Sequence, residues 1–287
     1  HTTEKHCRTC RTNIEAKQMK AELLSHVRIH ADETTVQVLK EPNREAKKKS
    51  RMWLFCSARC NVPVYVFEYH ETRRKGVAQE FLAGWSGTLT ANGYKPYFNL
   101  GNPNIANTAC LVHVRRYFAQ IVKIAGGDAK AASAASVALE ARRRIDAMFK
   151  VDSKFDDMEP GGRKAARDAE LRPLMEDFGG WARAQLPLAS PKLAPHRALQ
   201  YAVEFWPYVM NVLEDGAPGA LEQRRRAGPA NLRRRAQELA LQRCAARRAG
   251  VCGDIQRHHH GQGQRAQSQA LRRVAADRDA QRRRAHR

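Results

Sequence analysis

"VRIHADETTVQVLKE" runs from Val27 to Glu41. Val36 and Val38 alternate along it, and Thr34 and Thr35 add β-branched side chains, so the stretch reads as a β-strand. Upstream, "IEAKQMKAELLSHVR" (14–28) spaces Ile14, Met19, Leu23, Leu24 and Val27 as a helix does. Downstream, "RMWLFCS" (51–57) and "VPVYVFEYH" (62–70) read as two more strands, most economically in a meander with the first. "GVAQEFLAGW" (76–85) predicts a helix ending near Gly84. "GTLTANGYKPY" (87–97) predicts a short strand and a turn at Asn92-Gly93. "TACLVHVRRYFAQIVKIA" (108–125) begins as a buried strand and continues as a helix.

The period changes near residue 127. "AKAASAASVALEARRRIDAMFKVDSKF" is alanine-rich and helical. "GGRKAARDAELRPLMEDFGGWARAQL" predicts one helix, bent or split at Pro173. "APHRALQYAVEFWPYVMNVLEDG" predicts an amphipathic helix closed by Gly216. Strands with helices between them, followed by a helical block, imply an α/β or α+β domain carrying a helical insertion or appendix.

The 287 residues carry a net +22, which points to a polyanionic partner, most simply nucleic acid. The charge is uneven. Residues 217–287 hold 18 Arg, no Lys and 5 acidic residues, a net +13 of that total, and Tyr208 is the last aromatic. Such a tail buries too little apolar surface to offset chain entropy and is expected to be disordered. No window approaches the roughly 18 apolar residues of a membrane span, and no early segment reads as a signal peptide. The first residue is His1 rather than Met, which suggests a fragment or internal reading. Seven scattered cysteines suit reduced thiols better than a disulfide framework.

Few side chains suggest chemistry. Asp32 opens a strand, where a carboxylate at a sheet rim can bind a hard divalent cation; it can equally be a solvated acid. Asn92 is a second polar residue at a strand end. Arg115 and Arg116 begin a helix and could meet a phosphate, or line a solvated face. His113 reads as a packed histidine before it reads as a base. Arg142, Arg143 and Arg144 face several directions on one helix, as a solvated surface does. Cys7 and Cys10 could form a four-thiolate zinc site with Cys56 and Cys60, although that second pair sits at a strand end. His258, His259 and His260 are adjacent and cannot all converge on one ion from a regular element.

Four ordered blocks, "IHADETTVQVLKEP", "FLAGWSGTLTANGYKPY", "ACLVHVRRYF" and "LEDG", resemble those of the insertion-sequence-66 type of bacterial transposase, from about residue 19 to residue 216. The resemblance implies a ribonuclease-H-like (retroviral-integrase-type) α/β domain at 31–126, a truncated helical segment at 1–30 and an all-helical insertion at 127–216. It implies an Asp-Asp-Glu triad holding two Mg²⁺ ions, which clamp the attacking and leaving oxygens of a DNA phosphodiester. By that resemblance the first Asp is Asp32, a metal ligand. The second position is Asn92, where the family has Asp-Gly-Tyr. The third, a Glu in an Asn-Asn-x-x-Glu-Arg block after "LEDG", has no counterpart.

The tail explains the gap. Permissible codons for "LEQRRRAGPANLRRRAQELALQR" (221–243), read one nucleotide later, can spell W-S-N-A-A-E-R-A-L-R-T-F-A-V-G-R-K-N-W-L-F-S, the missing block and the motif after it. The same offset turns "RHHHGQGQRAQ" into a further family-like block. A frameshift near residue 217 follows, with the family Glu split across the codons of Arg226 and Ala227. The expectation is therefore a transposase by descent, inactive in this copy and short of two metal-binding carboxylates, so that Mg²⁺ binding is impaired. Its partners would be the DNA ends of the element, a second copy or an intact transposase, in the nucleoid of a bacterial cytoplasm. The alternatives are a non-catalytic DNA-binding inhibitor and a relic without function.

Overall fold

The computed structural model describes residues 8–38, 45, 47–58, 63–125, 129–214, 216 and 221, with the side chains of 8–15 and 129–135 outside that description. Of 217–287, expected to be disordered, only Leu221 is described, and it is buried against the helical core; the zinc ligands Cys7 and Cys60, the His258–His260 run and the codons of Arg226 and Ala227 lie outside the described residues. Among the described residues, no helix is long and apolar enough to cross a membrane.

Among the described residues, five strands form one sheet in the order β3-β2-β1-β4-β5. β1 (Arg28–Gln37), β2 (Lys49–Ser57) and β3 (Tyr65–His70) are the predicted antiparallel meander. α2 (Lys75–Phe81) then carries the chain back, so that β4 (Gly87–Ala91) pairs parallel with β1, and β5 (Ile105–Ala109) parallel with β4. The parallel pairing of β1 with β4 needs such a crossover, because a tight turn can join only antiparallel neighbours. Gly87, at φ 149, permits the entry into β4: a Cβ there would lie 2.5 Å from the Val27 carbonyl oxygen.

The period-2 alternation sorts the strand residues between two faces. Ile29, Ala31, Trp53, Phe55, Leu89 and Ala91 pack with Val77 and Phe81 of α2, with Leu82 just after it, and with Leu23 of α1 (Arg8–Leu24). The alternate residues Arg28, His30, Thr90 and Thr108 are also buried but polar. Arg28 donates from Nη1 to the Thr90 and Thr108 hydroxyls at 2.9 and 3.3 Å, satisfying groups that burial would otherwise penalise. Burial first, and then the Arg28 charge, hold the His30 pKa down to about 3, so this imidazole is neutral in the fold.

A second core is helical. α3 (Leu111–Ile124), α4 (Ala129–Asp152), α6 (Arg172–Gln185) and α7 (Ala194–Met210) bury Phe118, Ile145, Met148, Phe178, Leu199 and Trp206 against one another. Sequence reading expected one helix, bent or split at Pro173. The chain forms α5 (Pro160–Ala166), a π-helical turn Arg167–Leu171, and then α6 with Pro173 in its first turn, so the helical run changes just before that proline. The widened turn is tied to the end of α4 by the buried pair Arg167–Asp152, at 2.7 Å.

Gly216 was expected to close the last helix. α7 ends earlier, at Met210, and a 3-10 turn Asn211–Glu214 follows it. Gly216 serves a close contact instead: a Cβ there would sit 1.8 Å from the Pro160 carbonyl oxygen. The buried Arg163 donates to the carbonyls of Phe155, Asp156, Met158 and Gly216 and so gathers these segments together.

α6 and α7 meet where Gly179 faces the Trp206 indole, whose Nε1 donates to the Met175 carbonyl at 3.2 Å. A Cβ on Gly179 would come within 2.5 Å of that Nε1, whereas one on Gly180 would meet open space. Gly179→Ala is therefore expected to destabilise the protein by about 1–3 kcal/mol through overpacking. Gly180→Ala is expected to stabilise it by about 0.5–1 kcal/mol through helix propensity. Thermal melts of the two variants check this contrast, and equal melting temperatures would contradict the α6–α7 packing.

Candidate active site

The parallel register pairs Ala31 with Ala91, and β4 ends there while β1 runs on. The next residues, Asp32 and Asn92, meet at this rim. Asn92 Nδ2 donates to Asp32 Oδ1 at 2.7 Å and to Glu33 Oε2 at 3.2 Å. Its Oδ1 accepts from the Tyr94 backbone N–H at 2.9 Å, an Asx turn. The neighbours thus fix the amide's orientation, with nitrogen toward the carboxylates and oxygen turned back onto the chain.

Glu33 is the more enclosed acid, its side chain only 1% exposed against 27% for Asp32. It is paired with Arg73 and accepts from Tyr97 Oη at 3.0 Å. Burial raises its pKa, the Arg73 charge opposes this, and the Asp32 charge adds to it, for a net rise. The Arg73 guanidinium lies 3.8 Å over the Tyr94 ring, and Tyr94 Oη donates to the Arg73 carbonyl at 2.6 Å. Trp53 closes the back of the site, edge-on to Tyr94 and Tyr97. Burial also drives the Tyr97 pKa well above its ordinary value, so this phenol remains a donor.

The start of α3 forms the opposite wall. The Cys110 N–H donates to the Ala91 carbonyl at 3.0 Å, which fixes the helix start against the strand end. His113 is buried, with Nε2 3.7 Å from Asp32 Oδ2. Burial lowers its pKa, but the Cys110 sulfur and the Asp32 carboxylate outweigh that and leave it raised. Burial likewise pushes the Cys110 thiol up, yet His113 brings it below its ordinary value.

The helical block supplies the third side. The Tyr201 ring of α7 lies where a Cβ on Gly93 would be, at 2.2 Å, and its hydroxyl is hydrogen-bonded to the Gly93 backbone. Lys95 pairs with Glu204 at 2.6 Å, and Phe98 packs on Phe205 and Tyr208. Residues 92–98 are thereby held on α7.

Of the sequence candidates, Asp32 and Asn92 come together and His113 joins them. Arg115 does not present a free guanidinium: it bonds Asp146 at 2.5 and 3.0 Å and ties α3 to α4. Arg116 is half-buried, and its charge opposes protonation of His113. Arg143 and Arg144 bond Glu140, Arg144 also bonds Asp177, and Arg142 lies 3.8 Å from Asp146. This face is ion-paired rather than merely solvated. Cys56 is buried in β2. Among the described residues, no group of three His, Cys, Asp or Glu side chains could hold a metal ion. Sequence reading missed Glu33, Arg73, Tyr97, Cys110 and Tyr201. Glu33 carried a usable signal as a second acid beside Asp32; the others converge only through the fold.

Asn92→Asp would replace two donated hydrogen bonds with a third carboxylate. The expected cost at pH 7 is about 1–3 kcal/mol. Like charges raise the new group's folded pKa above its unfolded value, so the deficit grows as pH rises through the unfolded value and shrinks toward pH 4. Denaturant unfolding of both proteins at pH 7 and pH 4 measures it, and a deficit that stays constant would contradict the geometry.

The family described as "Transposase IS66 family" matches residues 4–218. Among curated proteins of Sinorhizobium fredii (strain NBRC 101917 / NGR234), the chain is similar to uncharacterized protein y4hP, at 25% identity over 215 residues, covering 69% of this chain and 38% of that protein. Uncharacterized protein y4jD is 24% identical over 211 residues, covering 69% and 40%. Uncharacterized protein y4qI is 27% identical over 210 residues, covering 66% and 36%. The chain thus spans well under half the length of these relatives. No solved structure matches it.

Proposed function

The chain belongs to the IS66 family of transposases, and we propose that it carries a ribonuclease-H-like, Asp-Asp-Glu-type DNA strand-transfer domain that is catalytically inactive in this copy. The fold part of the reading is supported by the sheet order, an antiparallel meander whose first strand pairs parallel with β4. The site part is supported by Asp32, inside β1, meeting position 92 just past the end of β4.

One observation carries the inactivity. The Asn92 amide points its N–H groups into Asp32 and Glu33, and Tyr94 takes its oxygen. A Mg²⁺ ion needs oxygen ligands with negative charge, and a pair of them needs several carboxylates. Here position 92 offers donors, and Glu33 is already held by Arg73 and Tyr97. Asp32 alone, backed by His113, cannot hold two dications. These side chains do not fit the metal pair, and no hydrolytic step is assigned to them.

The family match ends at residue 218, two residues past Gly216. That boundary supports a frameshift near residue 217 and the loss of the third carboxylate. The remaining capacity is electrostatic. A net +22, with 18 Arg after residue 216, supports binding to DNA phosphates without sequence preference. A product of this kind could also occupy the ends used by an intact transposase.

The expected outcome with Mg²⁺ or Mn²⁺ is no cleavage or joining of element ends above an Asp32→Ala control. DNA affinity is expected to fall steeply with salt and to be equal for end and unrelated sequences. Strand transfer above the control, seen on a sequencing gel, would overturn the inactive reading.

A further inference from the structure

We propose that Arg73 is a tethered counter-cation that closes the rim to divalent cations, its guanidinium holding the carboxylate that a metal ion would need. The inference deepens the inactive reading and rests on the misfit between the rim and a metal pair. Residues 71–74 join β3 to α2 and are exposed. Arg73 is grasped from this strap at both ends. Its guanidinium pairs with Glu33 and lies 3.8 Å over the Tyr94 ring, while its carbonyl accepts from Tyr94 Oη at 2.6 Å. Tyr94 is fixed in turn by its N–H, which donates to Asn92 Oδ1, and by edge contacts with Trp53 and Tyr97. The clasp therefore joins the strap to the same loop that carries Asn92.

Charge makes the clasp exclusive. The Glu33 side chain is 1% exposed and that of Arg73 38%, so the arginine is the outer member and covers the acid. A buried carboxylate needs a countercharge, and Arg73 supplies one from a chain segment already in place. Its concentration at Glu33 is set by the tether rather than by the solution. A dication reaching the same oxygens would meet the guanidinium at contact range, where like charges repel. The neighbouring Arg74 does not double the contact: it precedes α2 and pairs with Glu80 at 3.4 Å.

Release reverses the balance. Without the Arg73 side chain, Glu33 keeps the Tyr97 and Asn92 donors, at 3.0 and 3.2 Å, but loses its countercharge. Asp32 stands beside it in sequence, with Oδ2 facing His113 at 3.7 Å. Two adjacent carboxylates at an opened rim then attract one cation, with water completing its oxygen shell. A pair of metal ions still lacks ligands, so release restores cation binding without restoring the two-metal site.

The test titrates terbium(III), an oxygen-seeking ion whose emission Trp53, Tyr94 and Tyr97 would sensitise at this site, into the full chain at neutral pH. Arg73→Gln is expected to bind it at least about tenfold more tightly than the unaltered protein, with Mg²⁺ displacing it. Adding Glu33→Gln should return the affinity to the starting level. Arg73→Lys, which keeps a tethered charge, should stay near that level too. Tyr94→Phe removes only the bond to the Arg73 carbonyl; it should tighten binding by a smaller factor and serves as the gentler variant if Arg73→Gln does not fold. Weak binding that neither variant improves would overturn the clasp and leave the inactive reading standing. Tightening that survives Glu33→Gln, or that Arg73→Lys shows equally, would overturn it as well. Tight binding by the unaltered protein, abolished by Glu33→Gln, would overturn both the clasp and the misfit on which the inactive reading rests.

Discussion

Four parallel residue pairs between β1 and β4, from Arg28 with Thr88 to Ala31 with Ala91, set where Asp32, Glu33 and Asn92 meet. Because β4 stops at Ala91 and β1 continues, the side chains just beyond leave the sheet at one rim. A slip of one residue would exchange the faces of the strand and put Ile29 and Ala31 among Arg28's polar partners. The buried apolar face of β1 and the Arg28–Thr90–Thr108 bonds on the other face both oppose such a slip. Asp32 is thereby tied to position 92 by packing well away from either residue.

The rim must then balance two adjacent acids. Arg73 compensates Glu33 from α2's leading edge, and the raised His113 faces Asp32 from α3. The Asn92 amide joins the two halves with two donated bonds. Hydrogen bonds to charged acceptors contribute about 1.5–3 kcal/mol each, comparable to a substantial fraction of a domain's stability. The network closes on itself with protein groups alone. A site built around cations would be expected to leave carboxylate oxygens pointing at one another, with repulsion that only a bound ion relieves.

Much of this was legible in the sequence. The alternation of Val36 and Val38, the turn at Asn92-Gly93 and the strand-to-helix passage through Cys110 placed every strand of the sheet within a few residues. Asn92 was found as a strand-end polar residue, whereas Asp32, expected to open a strand, lies inside β1 because pairing with β2 begins at Ile29; the resemblance to one transposase family put the two in one site. Other features needed three dimensions. Arg73 and Tyr97 reach Glu33 from 40 and 64 residues away in sequence, with no periodicity to reveal it. Arg115 looked available for phosphate because its partner Asp146 sits on a different helix. Tyr201 belongs to the helical block by pattern, and its contact with Gly93 depends on how that block docks. Pro173 marked where the helix changes, but not that the change is a π-helical turn tied to α4 by the buried Arg167–Asp152 pair.

An amide nitrogen, not a metal-binding oxygen, faces Asp32 and Glu33. The side-chain NH₂ resonances of Asn92, identified by selective ¹⁵N labelling and an Asn92→Gln spectrum, report on it directly during a titration with paramagnetic Mn²⁺. Two inequivalent, exchange-protected protons are expected, whose widths change no more than in an Asp32→Ala protein. Selective broadening of those two protons at Mn²⁺ levels that leave other side-chain amides unchanged, and its loss in Asp32→Ala, would contradict this arrangement by placing a cation at Asp32 beside the amide.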